Sequence, residues 1–146
     1  MQRLSLKRKT DFTSKRILVV ERSRTIQTLL SIYFRNAGYQ ALVCSTPQEA
    51  LRLLADLRDA PDCVILAVHA QEQDDYRLIH SVKAQAAYAR TSLVALVLQE
   101  DMTQIQHRLR DTQVSCLGKP FRIQDALALV SAPVPGSIVS SETRRD

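Results

Sequence analysis

Between residues 16 and 131 the chain alternates short, unbroken apolar runs with longer stretches in which apolar side chains recur every three or four positions. The first run is Ile17-Leu18-Val19-Val20. A continuous, β-branched run of this kind suits a strand covered on both faces, because neither side of it is left to water. Further runs follow at Ala41-Leu42-Val43-Cys44, Cys63-Val64-Ile65-Leu66-Ala67-Val68, Leu93-Val94-Ala95-Leu96-Val97-Leu98 and Ser115-Cys116-Leu117. Between the first two, Ile26, Leu29, Leu30, Tyr33 and Phe34 are spaced to share one helix face, and Gly38 stands where the C-cap belongs. Thr46-Pro47-Gln48-Glu49 is the sharpest local signal. Thr46 can cap a helix, Pro47 fits its first position, and Glu49 completes a capping box. Ala50, Leu51, Leu53, Leu54 and Leu57 then supply a buried face. Pro61-Asp62 interrupts the chain before the third strand. Helices are expected over about 75–86, about 102–110 with Ile105 and Leu109 inward, and about 123–130. Gly118-Lys119-Pro120-Phe121 turns into the last of these. Five strands alternating with five helices predict an α/β fold with a parallel sheet, helices on both faces and right-handed crossovers.

Composition places this pattern in a single domain. The chain has 146 residues, with 45% hydrophobic and 24% charged side chains, which suits an ordinary soluble globular protein. The expected division is a flexible arm over 1–15, the α/β domain over 16–131, and a flexible tail over 132–146 that opens near Pro-Val-Pro-Gly-Ser. No apolar stretch approaches the ~20 residues that span a bilayer, and no apolar segment follows the basic N-terminus. No membrane association and a cytoplasmic location are therefore expected. The formal charge of +5 is unevenly placed. Residues 1–16 hold six basic side chains against Asp11, while the rest of the chain has 14 basic and 14 acidic. Any attraction to nucleic acid falls to the arm, where Lys7-Arg8-Lys9 lies without aromatic neighbours. Cys44, Cys63 and Cys116 are odd in number, form no CxxC and sit in apolar runs, so buried thiols are expected in place of a disulfide or zinc site.

The order and spacing of Ile17–Ser23, the capped helix from Thr46 to Leu54, the Pro61–Val68 strand and Gly118-Lys119-Pro120-Phe121 resemble a response-regulator receiver domain, the fold of the single-domain chemotaxis regulators. The resemblance covers about 16–131. It implies a flavodoxin-like five-stranded parallel sheet of order 2-1-3-4-5, with its site at the C-terminal strand ends. In the family, two acidic residues after strand 1 help hold magnesium, and an aspartate ending strand 3 takes the phosphoryl group. A Thr or Ser ending strand 4 and a Lys ending strand 5 contact that group.

Carried over position by position, the resemblance implies a degenerate pocket of Glu21, Arg22, Ala67, Val97 and Lys119. Arg22 puts a cation where a magnesium ligand belongs, and Arg has only donors. Ala67 replaces the nucleophile with a methyl group, and Val97 keeps a hydroxyl's shape without the oxygen. The aromatic switch position becomes Cys116, and Lys119 alone matches outright. An aspartyl phosphate needs a carboxylate nucleophile and a cation to offset charge, so no phosphoryl uptake, metal or cofactor is expected. A Glu21–Lys119 or Glu21–Arg22 contact is expected to stand in for the metal. Asp74, Asp75 and His69 are read as solvated or capping loop residues, and His80 and His107 as plain helical positions.

The function implied is that of a binding module and not an enzyme: a phosphorylation-independent two-component signalling adaptor. Its partner is a signalling kinase, another receiver or an output protein, and a homodimer is also compatible. In receivers the face of helix 4, strand 5 and helix 5 docks partners, which here selects Ile105, Leu109, Cys116, Phe121 and Ile123. Two other readings stay open. One is a nucleic-acid-associated regulator using the basic arm. The other is a small-anion or ligand sensor using the vacated pocket.

Overall fold

The structure, a computed structural model, describes residues 15–131 and the two-residue strand at 138–139. The arm over 1–14 and the rest of the tail lie outside the described residues. Among the described residues six strands form one parallel sheet of order β2-β1-β3-β4-β5-β6. They are β1 (Lys15–Val20), β2 (Tyr39–Cys44), β3 (Cys63–Ala67), β4 (Ser92–Leu98), β5 (Ser115–Lys119) and β6 (Ile138–Val139). The helices are α1 (Arg24–Asn36), α2 (Pro47–Asp56), α3 (Gln73–Ala84), α4 (Met102–Leu109) and α5 (Ile123–Ser131). Short 3₁₀ turns at Ala86–Tyr88 and Gln99–Asp101 flank β4. The expected order 2-1-3-4-5 is present.

Two boundaries are corrected. Lys15 opens β1 and does not belong to the arm. Ile138–Val139, placed by the sequence in a flexible tail, pairs with Cys116–Leu117 as a sixth strand. A pair of residues is too short to show a periodic signal, so pairing along the exposed β5 edge decides it.

Helix starts follow the local chemistry. Thr46 Oγ1 accepts from the Glu49 backbone N–H at 3.1 Å, and Pro47 occupies the first turn. Glu49 Oε1 in turn accepts from the Ser45 N–H at 2.8 Å. Ser23 caps α1 through the Ile26 N–H. Gly38 follows the C-cap of α1 with φ +97°, a left-handed conformation that a side chain would strain.

Strand alternation splits the core into two layers. Leu18, Val20, Val64, Leu66, Ala95 and Val97 pack toward α2, α3 and α4. Ile17, Val19, Ile65, Val94, Leu96 and Leu117 pack toward α1 and α5, around Leu30 and Phe34. Both faces of the sheet thus carry helices, which is why the runs are almost wholly apolar, Ser115 at the start of β5 being a buried polar exception. Within α1, Leu30 and Phe34 are buried, but Leu29 is 52% exposed. The single inward face expected from the sequence is narrower than the apolar stripe.

All three cysteines are buried. Burial pushes the Cys63 thiol up to about 12, helped by the adjoining Asp62 carboxylate. It pushes Cys44, near Glu49, and Cys116 each to about 11. The thiolate is the reactive form, so at pH 8 a thiol titrating near 12 is about one part in 10⁴ reactive. Labelling of the native chain by an aromatic disulfide reagent should run at least ~100-fold slower than in denaturant, because it must await opening. Three thiols reacting at once in the native state would disprove this burial.

Candidate functional site at the strand ends

The C-terminal ends of β1, β3, β4 and β5 lie along one edge of the parallel sheet. Period-two alternation decides which side chains join them. In β1 the residues after Ile17 and Val19 on the α1–α5 face bring up Glu21. In β5 the residue after Leu117 on this face is Lys119. In β3 the residue after Ile65 is Ala67, the strand's last.

Glu21 and Lys119 meet. Lys119 Nζ lies 3.2 Å from Glu21 Oε1, with the glutamate side chain 5% and the lysine 18% exposed. The other carboxylate oxygen, Oε2, accepts from the Ser23 N–H at 2.9 Å. The Gln27 amide donates to the Glu21 backbone carbonyl and, at 3.1 Å, to Ser45 Oγ. Both oxygens of Glu21 are therefore engaged by this chain's own donors. The expected Glu21–Lys119 contact is present and the Glu21–Arg22 one is not. Arg22 is exposed and makes no hydrogen bond or ion pair with a described residue.

Ala67 is almost fully buried beside Glu21. The cavity it shares with Arg22, Ser45, Pro47, His69 and Asp75 holds about 10 Å³, room for roughly one water by the ~10–15 Å³ a water site needs. Arg22 lines it but Lys119 does not, so the two cations do not converge on an anion there.

Asp75 and His69, read from sequence as loop residues, form a local contact. Asp75 is buried, and its Oδ2 accepts from the His69 backbone N–H at 2.9 Å and lies 3.0 Å from His69 Nδ1. Asp75 lies in the first turn of α3 and accepts from the loop backbone before it, which leaves only spacing as a sequence trace. Asp74 instead faces outward, accepting from Arg77 at 2.7 Å.

Val97 does not join the group. It is fully buried in the α2–α4 layer, one residue out of phase with Ala67 and Lys119. Leu98 is the β4 residue in register with Lys119, and it is 41% exposed. The strand-4 position expected at Val97 therefore belongs on this face to Leu98.

The expected partner face needs a larger correction. Ile105, Leu109 and Cys116 are all core residues, essentially without exposed surface. Only Phe121 and Ile123 reach the surface, and they do so on the α1 side of the sheet. There they wall a groove of about 510 Å³ with Ile26, Leu29, Leu98 and Pro120.

No family model matches the chain. It is similar to the two-component response regulator ARR11 of Arabidopsis thaliana, with 24% identity over 110 residues, 75% of this chain. The chain spans only 20% of that relative's length. Among solved structures it matches the signal receiver domain of a signal transduction histidine kinase from Syntrophus aciditrophicus at TM-score 0.68 and 27% identity, covering 80% of this chain and 86% of that one. It matches the chemotaxis protein CheY4 of Vibrio cholerae at TM-score 0.71 and 21% identity, covering 84% and 100%. The fold is that of a receiver domain. A third structure with the receiver fold, from sensor histidine kinase PA1611 of Pseudomonas aeruginosa, matches at TM-score 0.67 and 20% identity over 81% and 95%, and has a magnesium ion coordinated in its active-site cleft.

The residues of this receiver fold do not suit that ion. Magnesium requires several oxygen ligands near octahedral geometry. Here Glu21 is held by Lys119 and Ser23, Asp75 by His69, and Ala67 offers a methyl group. Among the described residues no group of three or more His, Cys, Asp or Glu side chains could hold a metal. No helix of the described residues is long and apolar enough to cross a membrane. The Lys7-Arg8-Lys9 segment lies outside the described residues.

Proposed function

We propose that this chain is a two-component-type signalling module that works by protein–protein contact and is not switched by phosphorylation of its own strand-3 end. The reading takes the position of Ala67 as the one where receivers carry their acceptor aspartate, and places the chain in the cytoplasm as a binding module rather than an enzyme. The observation that carries it is the Lys119–Glu21 ion pair. In this reading Lys119 supplies permanently the positive charge that a bound metal would otherwise bring to Glu21. The strand ends are then fixed in one state, and no phosphoryl group is needed to organise them. Its partner class is a signalling kinase, another receiver or an output protein, in keeping with the similar proteins, a two-component response regulator and the receiver domain of a signal transduction histidine kinase.

The test is incubation of the full chain with acetyl phosphate and magnesium, followed by intact-mass measurement and hydroxylamine treatment. No hydroxylamine-labile phosphate is expected. Stoichiometric aspartyl phosphate would overturn the reading.

A further inference from the structure

The two sides of the sheet are finished differently. Among the described residues no strand pairs with the outer side of β2, and an arginine reaches it, since Arg35 donates to the Ala41 carbonyl at 3.5 Å. A charged group on an outer strand discourages further pairing. The outer side of β5 is instead covered by the chain's own Ile138–Val139, in register with Cys116 and Leu117. Ser115, Cys116 and Leu117 bring no charge, proline or bulge that would turn a strand away.

That cover is slight. Strands usually run about 3–10 residues, and β6 has two. It spans two of the five residues of β5. Its parallel pairing is the less stable kind per residue. An element held by so few backbone bonds opens more readily than the strands it covers.

A cavity of about 380 Å³ lies beside the same strand, between α4 and β5. Leu109, Val114 and Cys116 form its buried apolar lining, and His107, Arg110 and Gln113 its exposed lining. None of its described lining residues is acidic. Side chains alternate across the pleat, so a strand residue opposite Cys116 projects to the face on which the Cys116 side chain lies. Cys116 thus offers its backbone to a strand while its side chain belongs to the cavity wall.

We propose that the outer side of β5 is a strand-acceptor site, that Ile138–Val139 is its occupant in cis, and that an extended segment of another protein docks by displacing it. The segment carries consecutive β-branched residues, as the cis strand does. Its apolar side chain opposite Cys116 enters the cavity, and an acidic residue beside it meets Arg110. Main-chain bonds to β5 give affinity, and the cavity gives selectivity. A tethered strand competes at a roughly millimolar effective concentration, so β6 sets the affinity a partner must exceed. The inference rests on the protein–protein reading above, but its test does not depend on the phosphorylation result.

The probe is the peptide Gly-Ser-Ile-Val-Asp-Ser-Glu, beside a twin with lysines in place of its two acids and a third peptide N-methylated at Ile and Val. The full-length chain is compared with a variant carrying Ile138→Pro and Val139→Pro, whose prolines have no N–H to give the ladder. Binding is measured by fluorescence anisotropy and mapped by amide chemical shifts. The acidic peptide should bind the variant at least ~10-fold tighter than the parent chain, with shifts at Cys116 and Leu117. The lysine twin should bind at least ~5-fold more weakly, and the methylated peptide not at all. Without peptide, the β5 amides turned toward β6 should exchange at least ~10-fold faster in the variant. Those paired with β4 should keep the parent rate, which checks that the domain folds. No binding at millimolar peptide, equal binding to parent and variant, equal binding of the twin or the methylated peptide, or shifts confined to α1 overturns the inference. So does a dimer in light scattering that the two prolines dissolve, which would assign β5 to a second copy's tail. Phosphate uptake with intact peptide binding would overturn only the functional reading. Absent uptake with no peptide binding would overturn only this inference.

Discussion

Lys119→Met should destabilise the domain by about 3 kcal/mol, at the lower end of the ~3–5 kcal/mol seen when one partner of a buried ion pair is removed. The lower end applies because Glu21 keeps one donor, the Ser23 N–H at 2.9 Å. What it loses is the only charged group among the described residues that contacts it. Glu21 is 5% exposed, so water cannot replace the ammonium without opening the strand ends. Methionine keeps most of the lysine stem's packing, which isolates the charge from the volume. Glu21→Gln combined with Lys119→Met should cost less than Lys119→Met alone, since no buried charge is then left unpaired. Urea unfolding of the two variants beside the parent chain measures both quantities. A loss below about 0.5 kcal/mol for Lys119→Met would place the pair among ordinary surface ion pairs and remove its role as an internal substitute for a cation.

Most of the architecture was legible because the signals that encode it are local. A buried parallel strand must be apolar at every position, so Ile17–Val20 and Leu93–Leu98 stand out without knowledge of their neighbours. The α2 start was readable for the same reason: Thr46, Pro47 and Glu49 satisfy one another within four residues. The Lys119–Glu21 pair spans 98 positions, yet the receiver resemblance placed both residues at strand ends and so brought them together.

What the pattern concealed depends on register and on which side of an element faces out. Val97 and Leu98 are both apolar and adjacent, and a one-residue difference exchanges the two faces of a strand. Only the pairing of Leu98 with Lys119 decides between them. The partner residues failed for a related reason. Helical spacing found Ile105 and Leu109 because they point into the core, and a residue recognisable by its inward periodicity is poorly placed to touch a partner. Leu29 was the reverse case. It looked like core by spacing, but α1 packs mainly against β1, β2 and α5, so part of its apolar stripe stays in water. β6 left no pattern, since two residues cannot show one.

Restoring acids to the strand ends should expose the electrostatic logic of the site most directly. Ala67→Asp alone places a carboxylate in a position 6% exposed, beside Glu21 and a cavity of about 10 Å³. Lys119 would then face two carboxylates, and the like-charge repulsion and desolvation together should cost about 2–3 kcal/mol. Adding Arg22→Asp brings a third acid and removes the nearby cation. Without metal, that double variant should be less stable than either single one. With magnesium the order should reverse, because three carboxylates offer the oxygens that the parent chain withholds. At a metal concentration ten times the dissociation constant, binding to the folded state alone returns about 1.4 kcal/mol. Thermal unfolding in EDTA and in magnesium should therefore separate the chains. The double variant rises with metal, while the parent chain and Ala67→Asp do not, since both retain Arg22 at the mouth of the site. An equal rise in the parent chain would mean that Glu21 releases Lys119 for the ion, and the ion pair would then be a resting contact instead of a permanent one.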